Sequence, residues 1–216
     1  MSGGDGLRLL RAADRGATPW KNGGGVTREI AARPEGAGTG DFAWRVSLAE
    51  VAADGPFSSF PGVDRTLTLA EGAGMDLAVA GVRHLVDERF APRDFAGDEP
   101  TDCRLLDGPV VNFNVMYRRS ETRAQTAVVR GVLALAVPPG ETLLIVALDG
   151  PAVLHRTGDG GPGPGSGSGS GAGRVEELAP YDAALLTGGP DLILRTAGRA
   201  AVVRFGPAPT VDTLSE

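Results

Sequence analysis

At 216 residues and 42% hydrophobic content, the chain is long enough to bury a sizeable core, as one all-β domain or two small ones. Its net charge of −6 argues against nucleic acid or an anionic membrane as a general partner. The single cysteine, Cys103, cannot form an internal disulfide; no basic, apolar leader opens the chain and no apolar run reaches ~18 residues. Together these features fit a protein of the reducing cytoplasm.

High glycine and proline content with short apolar runs favours strands and turns over helices. In chain order, residues 7–10 predict a short opening strand. Next comes Trp20-Lys21-Asn22-Gly23-Gly24-Gly25-Val26-Thr27-Arg28-Glu29. The chain has 20 Arg and one Lys, and that Lys is Lys21; Asn22 is one of three Asn, and Trp20 one of two Trp. A position that stays Lys in so Arg-biased a chain points to a need for a compact ammonium rather than a planar fork. The glycines permit close backbone approach or positive φ. A Gly-rich turn beside a solvated Lys explains the same residues equally well. Residues 26–30 then alternate as a half-buried strand should.

Residues 42–51 are the clearest strand. Phe42, Trp44, Val46 and Leu48 share one face, and Ala43, Arg45, Ser47 and Ala49 the other. Asp54-Gly55-Pro56 breaks it, and residues 57–62 predict a loop held by two aromatics and two prolines around it. Strands are predicted at 64–70, 75–79 and 82–86, followed by a loop-like acidic segment over 92–100 anchored by Phe95. Residues 110–118 predict a long strand with Asn112, Asn114, Met116 and Arg118 on one face. Further strands are predicted at 126–129, 132–137, 142–148, 152–156, 175–178, 183–187, 192–196 and 200–205. This rhythm of short strands and Gly/Pro turns indicates a β-sandwich or barrel. Residues 158–173 have a flexible Gly/Ser/Pro linker composition with predicted strand on both sides, and read as a lengthened hairpin loop.

Several chemistries are disfavoured. The two histidines, His84 and His155, are far apart with no ligand-spaced partners, so no metal site and no cofactor are expected. Ser58 and Ser59 lack a nucleophile-elbow motif. The Gly-rich stretch lacks the Gly-Lys-Ser/Thr ending and following helix of a phosphate loop. Cys103 reads as a small buried apolar residue. What remains is a polar set on strand faces: Arg45 and Ser47 on one strand, Asn112, Asn114 and Arg118 on another. Polar residues pointing into a small barrel make a pocket. Lys21, Arg45, Arg65 and Arg118 would make it cationic, suited to a small carboxylate held by charge-assisted hydrogen bonds. On the solvent face of an ordinary sandwich the same residues would be inert.

The motifs resemble the HutD/Ves family. Trp20-Lys21-Asn22-Gly23-Gly24-Gly25 with Thr27 and Glu29 is similar to its opening signature. Phe42-Ala43-Trp44-Arg45-Val46-Ser47, Asp54-Gly55-Pro56-Phe57-Ser58, Phe60-Pro61-Gly62 and Arg65 continue the match. Phe95-Ala96-Gly97-Asp98, Gly108-Pro109 and Phe113-Asn114-Val115-Met116 complete it, and beyond about residue 120 little of it remains. The resemblance implies a cupin-type fold: one compact double β-barrel (bicupin) over 1–216, with halves near 1–120 and 121–210. It implies a ligand-binding or regulatory role in histidine utilisation, sensing an acid such as formylglutamate or urocanate, with no established catalysis. Residue 112 is Asn where the family is expected to favour Asp, which removes a carboxylate base from that position.

Residues and resemblance together nominate Trp20, Lys21, Asn22, Thr27, Arg45, Ser47, Phe57, Ser58, Arg65, Asn112, Asn114 and Arg118 as the ligand-binding set. A homodimer is left open. The rival is a metal-independent isomerase or lyase acting on a small acid, which needs a carboxylate in the pocket from Glu29, Asp54 or Asp64. A third reading, an interaction protein using exposed strands, would show a large apolar surface patch instead of an internal site.

Overall fold

The computed structural model describes residues 6–156, 175–189 and 191–209. The predicted 158–173 loop lies outside the described residues. In chain order the strands are β1 (Leu7–Leu10), β2 (Thr18–Pro19), β3 (Gly25–Arg33), β4 (Trp44–Val51), β5 (Gly55–Phe57) and β6 (Val63–Glu71). Then come β7 (Met75–Val79), β8 (Val82–Val86), β9 (Pro92–Ala96), β10 (Thr101–Leu105), β11 (Val110–Arg118) and β12 (Thr122–Leu135). The last are β13 (Thr142–Ala147), β14 (Ala152–Arg156), β15 (Val175–Leu178), β16 (Ala183–Leu186) and β17 (Leu192–Pro207). A 3-10 turn at Ala12–Asp14 is the one helical element among the described residues.

The expected all-β architecture is present, with three differences in detail. The segment read as a loop over 92–100 contains β9, which pairs along β6, and β10, which follows it, is also a strand. Three consecutive exposed residues, Pro92, Arg93 and Asp94, open β9, and the exposed Asp102 and Arg104 alternate along β10, which hides the apolar rhythm; a proline is tolerated at the start of an edge strand. The predicted strand pairs 126–129 with 132–137, and 192–196 with 200–205, are each one continuous strand. Gly131 and Gly198 lie between those predicted ranges, and both are within strand. Finally, Gly55–Phe57 is a short strand against β10 rather than the start of a loop.

The chain divides into two compact units. One comprises residues 1–14 and 127–204, the other residues 15–126 and 205–216. The first holds a seven-stranded sheet in the order β1-β16-β13-β17-β14-β15, with β12 also paired to β17. Its hydrophobic cluster includes Leu143, Ile145, Leu154, Leu178, Leu186 and Leu194. β13 is buried at every position, which its unbroken apolar run Leu143–Ala147 requires.

The second unit has a six-stranded sheet, β2-β3-β4-β11-β6-β9, and a four-stranded sheet, β5-β10-β7-β8. β11 lies between β4 and β6, with Asn114 opposite Ser47 on one side and Leu67 on the other. Opposed residues in antiparallel pairs point to the same side. One side of the large sheet therefore collects Arg45, Ser47, Val51, Val110, Asn112, Asn114, Arg65, Leu67 and Leu69. Its apolar members pack on Met75, Leu77, Val86 and Cys103 of the small sheet. The reverse side carries Trp44, Val46, Leu48, Phe113 and Val115, also buried, with Trp44 stacked on Phe205 at 4.2 Å between ring centroids.

Candidate functional site

The site is built on the inward side of the six-stranded sheet. Register places Arg45, Met116, Arg65 and Phe95 across one row of β4, β11, β6 and β9. The adjacent row is Glu29, Ser47, Asn114 and Leu67, and the next is Thr27, Ala49, Asn112 and Leu69. A bulge between Glu29 and Ala31 keeps Glu29 on the inward side while resetting the rest of β3.

Arg65 is the central group. It is 8% exposed, and its guanidinium carbon lies 5.0 Å from the Phe95 ring centroid, 5.2 Å from Phe57 and 5.8 Å from Phe60. It makes no hydrogen bond or ion pair among the described residues, and its buried Nε has no partner there. Burial pushes its pKa down to about 10. Three ring faces supply cation–π attraction of about 0.5–2 kcal/mol each at most, which does not replace an anion.

Of the two inward amides, Asn114 lies one row from it and Asn112 two. Asn112 and Asn114 are buried, and the Oδ1 of each has no hydrogen-bond partner among the described residues. Asn114 Nδ2 donates a long bond to the Asn112 carbonyl at 3.5 Å, and Asn112 Nδ2 contacts Met75 Sδ at 3.8 Å. Ser47 is buried opposite Asn114. Arg45 Nε donates to Glu29 Oε2 of the adjacent row at 2.7 Å, with side chains 16% and 36% exposed.

The Gly-rich stretch forms the turn of the β2–β3 hairpin. Gly23 N–H donates to Trp20 O, and Gly24 N–H to Asn22 Oδ1 at 3.1 Å, with Gly23 at φ +71°. A Cβ at Gly25 would drive into the Glu50 carbonyl, which explains the glycine there. Lys21 and Asn22 are exposed at this tip. Trp20 folds back: its Nε1 donates to Thr27 Oγ1 at 2.8 Å, and its ring meets Phe57 edge-on at 6.3 Å.

Of the nominated residues, the fold therefore gathers Arg45, Ser47, Arg65, Asn112 and Asn114 on one side of one sheet, with Phe57 against Arg65 and Trp20 against Phe57 and Thr27. Ser58 is exposed. Arg118 is at the end of β11, where it donates to Gly40 O at 2.7 Å and pairs with Glu121. Phe60 and Phe95 were not nominated; the aromatic spacing Phe57-x-x-Phe60 was the available signal. Their placement depends on Asp98, whose Oδ1 accepts from Gly62 N–H at 2.6 Å and whose Oδ2 accepts from Arg119 at 2.5 Å. Those two contacts hold the Asp98 carboxyl below the usual range.

The other candidate groups lie elsewhere. Asp54 accepts from Leu105 N–H and Asp64 pairs with Arg119, so Glu29 is the carboxylate beside Arg45. Cys103 is buried against Met75, and burial pushes its thiol up to about 11. His84 is exposed on β8 and His155 is on β14 in the other unit. Among the described residues no group of three or more His, Cys, Asp and Glu is placed to hold a metal ion.

This is an all-β protein of cupin-like fold with a cationic, aromatic-lined interior in one unit. Cupin-fold structures at 8–9% identity superpose with TM-scores of 0.59 and 0.67, a likeness of fold alone. The HutD family model matches residues 12–203, and the chain belongs to that family. It is 35% identical over 200 residues to an uncharacterised 21.2 kDa protein in the hutC 3′ region of Pseudomonas putida, covering 92% of this chain and 97% of that one. Protein Ves of Cronobacter sakazakii is 41% identical over 110 residues, 50% of this chain and 59% of that one. The solved structure of HutD from Pseudomonas fluorescens SBW25 superposes with a TM-score of 0.77 at 29% identity, over 94% of this chain and 100% of that one. No helix among the described residues is long and apolar enough to cross a membrane.

Proposed function

We propose that the protein binds a small carboxylate-bearing ligand on the inward side of the β4–β11–β6 sheet and serves a regulatory or accessory role in histidine utilisation in the cytoplasm. The observation that carries this reading is Arg65: a buried guanidinium, walled by three phenylalanines, with no anion among the described residues to neutralise it. A carboxylate there forms charge-assisted hydrogen bonds in a low-dielectric setting and removes the cost of an uncompensated charge. The link to histidine utilisation rests on the family and on the P. putida relative's place beside hutC. A thermal-shift panel of histidine-pathway acids tests it. An acid at 100 times its Kd stabilises the native state by about 2.7 kcal/mol, and a flat panel overturns the reading.

A second reading has one observation in its favour. Glu29, held by Arg45 at 2.7 Å, is a carboxylate on the same inward side and supplies the acid/base group that a metal-independent isomerase or lyase needs. Proton NMR of each binding acid incubated with the protein distinguishes the two: turnover or deuterium exchange that disappears in Glu29→Gln makes it an enzyme, and an unchanged spectrum makes it a binding protein.

A further inference from the structure

Arg65 accounts for the ligand's charge and leaves the two buried amides unexplained. Asn112 and Asn114 are i, i+2 on β11, so both project inward, and each presents an acceptor with no donor. Their orientations are constrained. Turning the Asn114 amide over would set Oδ1 against the Asn112 carbonyl that Nδ2 now contacts. Turning Asn112 over would remove its contact with the Met75 thioether and put Oδ1 in its place. Each amide thus engages an N–H within the protein and keeps its Oδ1 acceptor free. Ser47, opposite Asn114, has a hydroxyl that can donate or accept, and does not fix the polarity. A buried acceptor left without a donor costs about 1–3 kcal/mol, so two of them side by side need an explanation.

We infer that Asn114, backed by Asn112, is a specificity residue requiring the ligand to carry a hydrogen-bond donor as well as the anionic group that Arg65 receives; this rests on the carboxylate reading above. Asn114 is diagonal to Arg65 across the β11–β6 pair, since Asn114 opposes Leu67 and Met116 opposes Arg65. Diagonal partners lie about 7–8 Å apart, so the donor is a few bonds from the carboxylate in one small molecule. The donor is uncharged, because the nearby Glu29 carboxylate is already balanced by Arg45. A neutral N–H meets this demand. A plain fatty or keto acid satisfies Arg65 and leaves both amides unpaired, and sites built to hydrogen-bond a donor reject such analogues strongly.

The test uses matched acids on the full chain. Acetamido acids with one to three carbons between amide and carboxylate are titrated calorimetrically, each against the acetoxy ester of the same length, which is nearly isosteric and lacks the N–H. At the best length the amide binds at least tenfold more tightly than its ester. In Asn114→Leu that ratio falls to about one, because the variant offers the N–H no acceptor. Equal affinity for amide and ester in the native chain overturns the inference and leaves the carboxylate reading standing. A preference for the amino acid of the same length, with its ammonium, over the amide also overturns it. Failure of every acid to bind removes the carboxylate reading, and this inference with it.

Discussion

The two units solve the interior of a β-structure in opposite ways. In the unit of residues 1–14 and 127–204 the buried cluster is Leu, Ile, Val and Ala, and the buried polar side chains beside it are Thr142, Asp182 and Thr196. In the other unit a comparable sheet turns an arginine, two asparagines and a serine inward among its leucines and phenylalanines. Apolar burial stabilises both, at roughly 25 cal/mol per Å². Only the second accepts the desolvation of a guanidinium and two amides, a burden that stability alone does not call for. The difference separates burial that stabilises the fold from burial that costs it stability.

Substitutions in each interior put that comparison at risk. The largest effect is expected in the dry unit: Leu154→Ala costs about 2–5 kcal/mol of unfolding free energy through cavity formation, with ligand affinity unchanged. Denaturant melts beside calorimetry check both halves of that statement. Arg65→Met reverses the pattern. It abolishes the carboxylate-induced thermal shift while leaving the unliganded protein as stable, or more stable by about 1–2 kcal/mol, because an uncompensated buried charge has been replaced by hydrocarbon. A large loss of stability in Arg65→Met instead makes the arginine structural.

Asp182→Asn tests the tether of the dry unit. Its carboxylate accepts from Ala12 N–H at 2.7 Å, Arg11 at 2.8 Å and Ala179 N–H at 3.2 Å. Burial pushes its pKa up, but these three donors outweigh it, and the net shift is downward. A depressed folded pKa means stability that is present above the ordinary carboxylate range of about 3.9 and is lost as pH falls through the folded value. The variant costs about 1–3 kcal/mol near neutrality and flattens the acid limb of the stability profile, with no change in the pH dependence of ligand binding. The smallest effect belongs to Glu29→Gln. Freed from its half-exposed partner, Arg45 raises carboxylate affinity a few-fold, and stability moves by less than about 1 kcal/mol.

Period-two alternation made much of this visible in the sequence. The face shared by Arg45 and Ser47, and the one shared by Asn112, Asn114 and Arg118, follow from strand geometry, and β7, β8, β11 and β14 have the predicted bounds. Register is where local pattern stops. Nothing near residue 45 or 114 says that β11 lies between β4 and β6, and only that order brings Arg65 beside the asparagines. Rarity directed attention to Lys21, which the hairpin leaves exposed at its tip, whereas one arginine among 20 is chemically the exceptional cation. Its distinction lies in what surrounds it: rings from three separate segments that converge only in the folded chain.

The stacking of Phe205 on Trp44 has a consequence for biosynthesis. The unit that carries Arg65 draws on residues 15–126 and then on residues from 205 onward, and Ala208 N–H closes a further bond to Glu121 O. A ribosome working at 5–20 residues per second delivers Phe205 roughly 4–16 s after residue 126. Throughout that interval the nascent sheet offers a bare indole where its last aromatic partner will lie. The whole intervening unit can be made before the earlier one is finished, so the second half of the translation product completes the first.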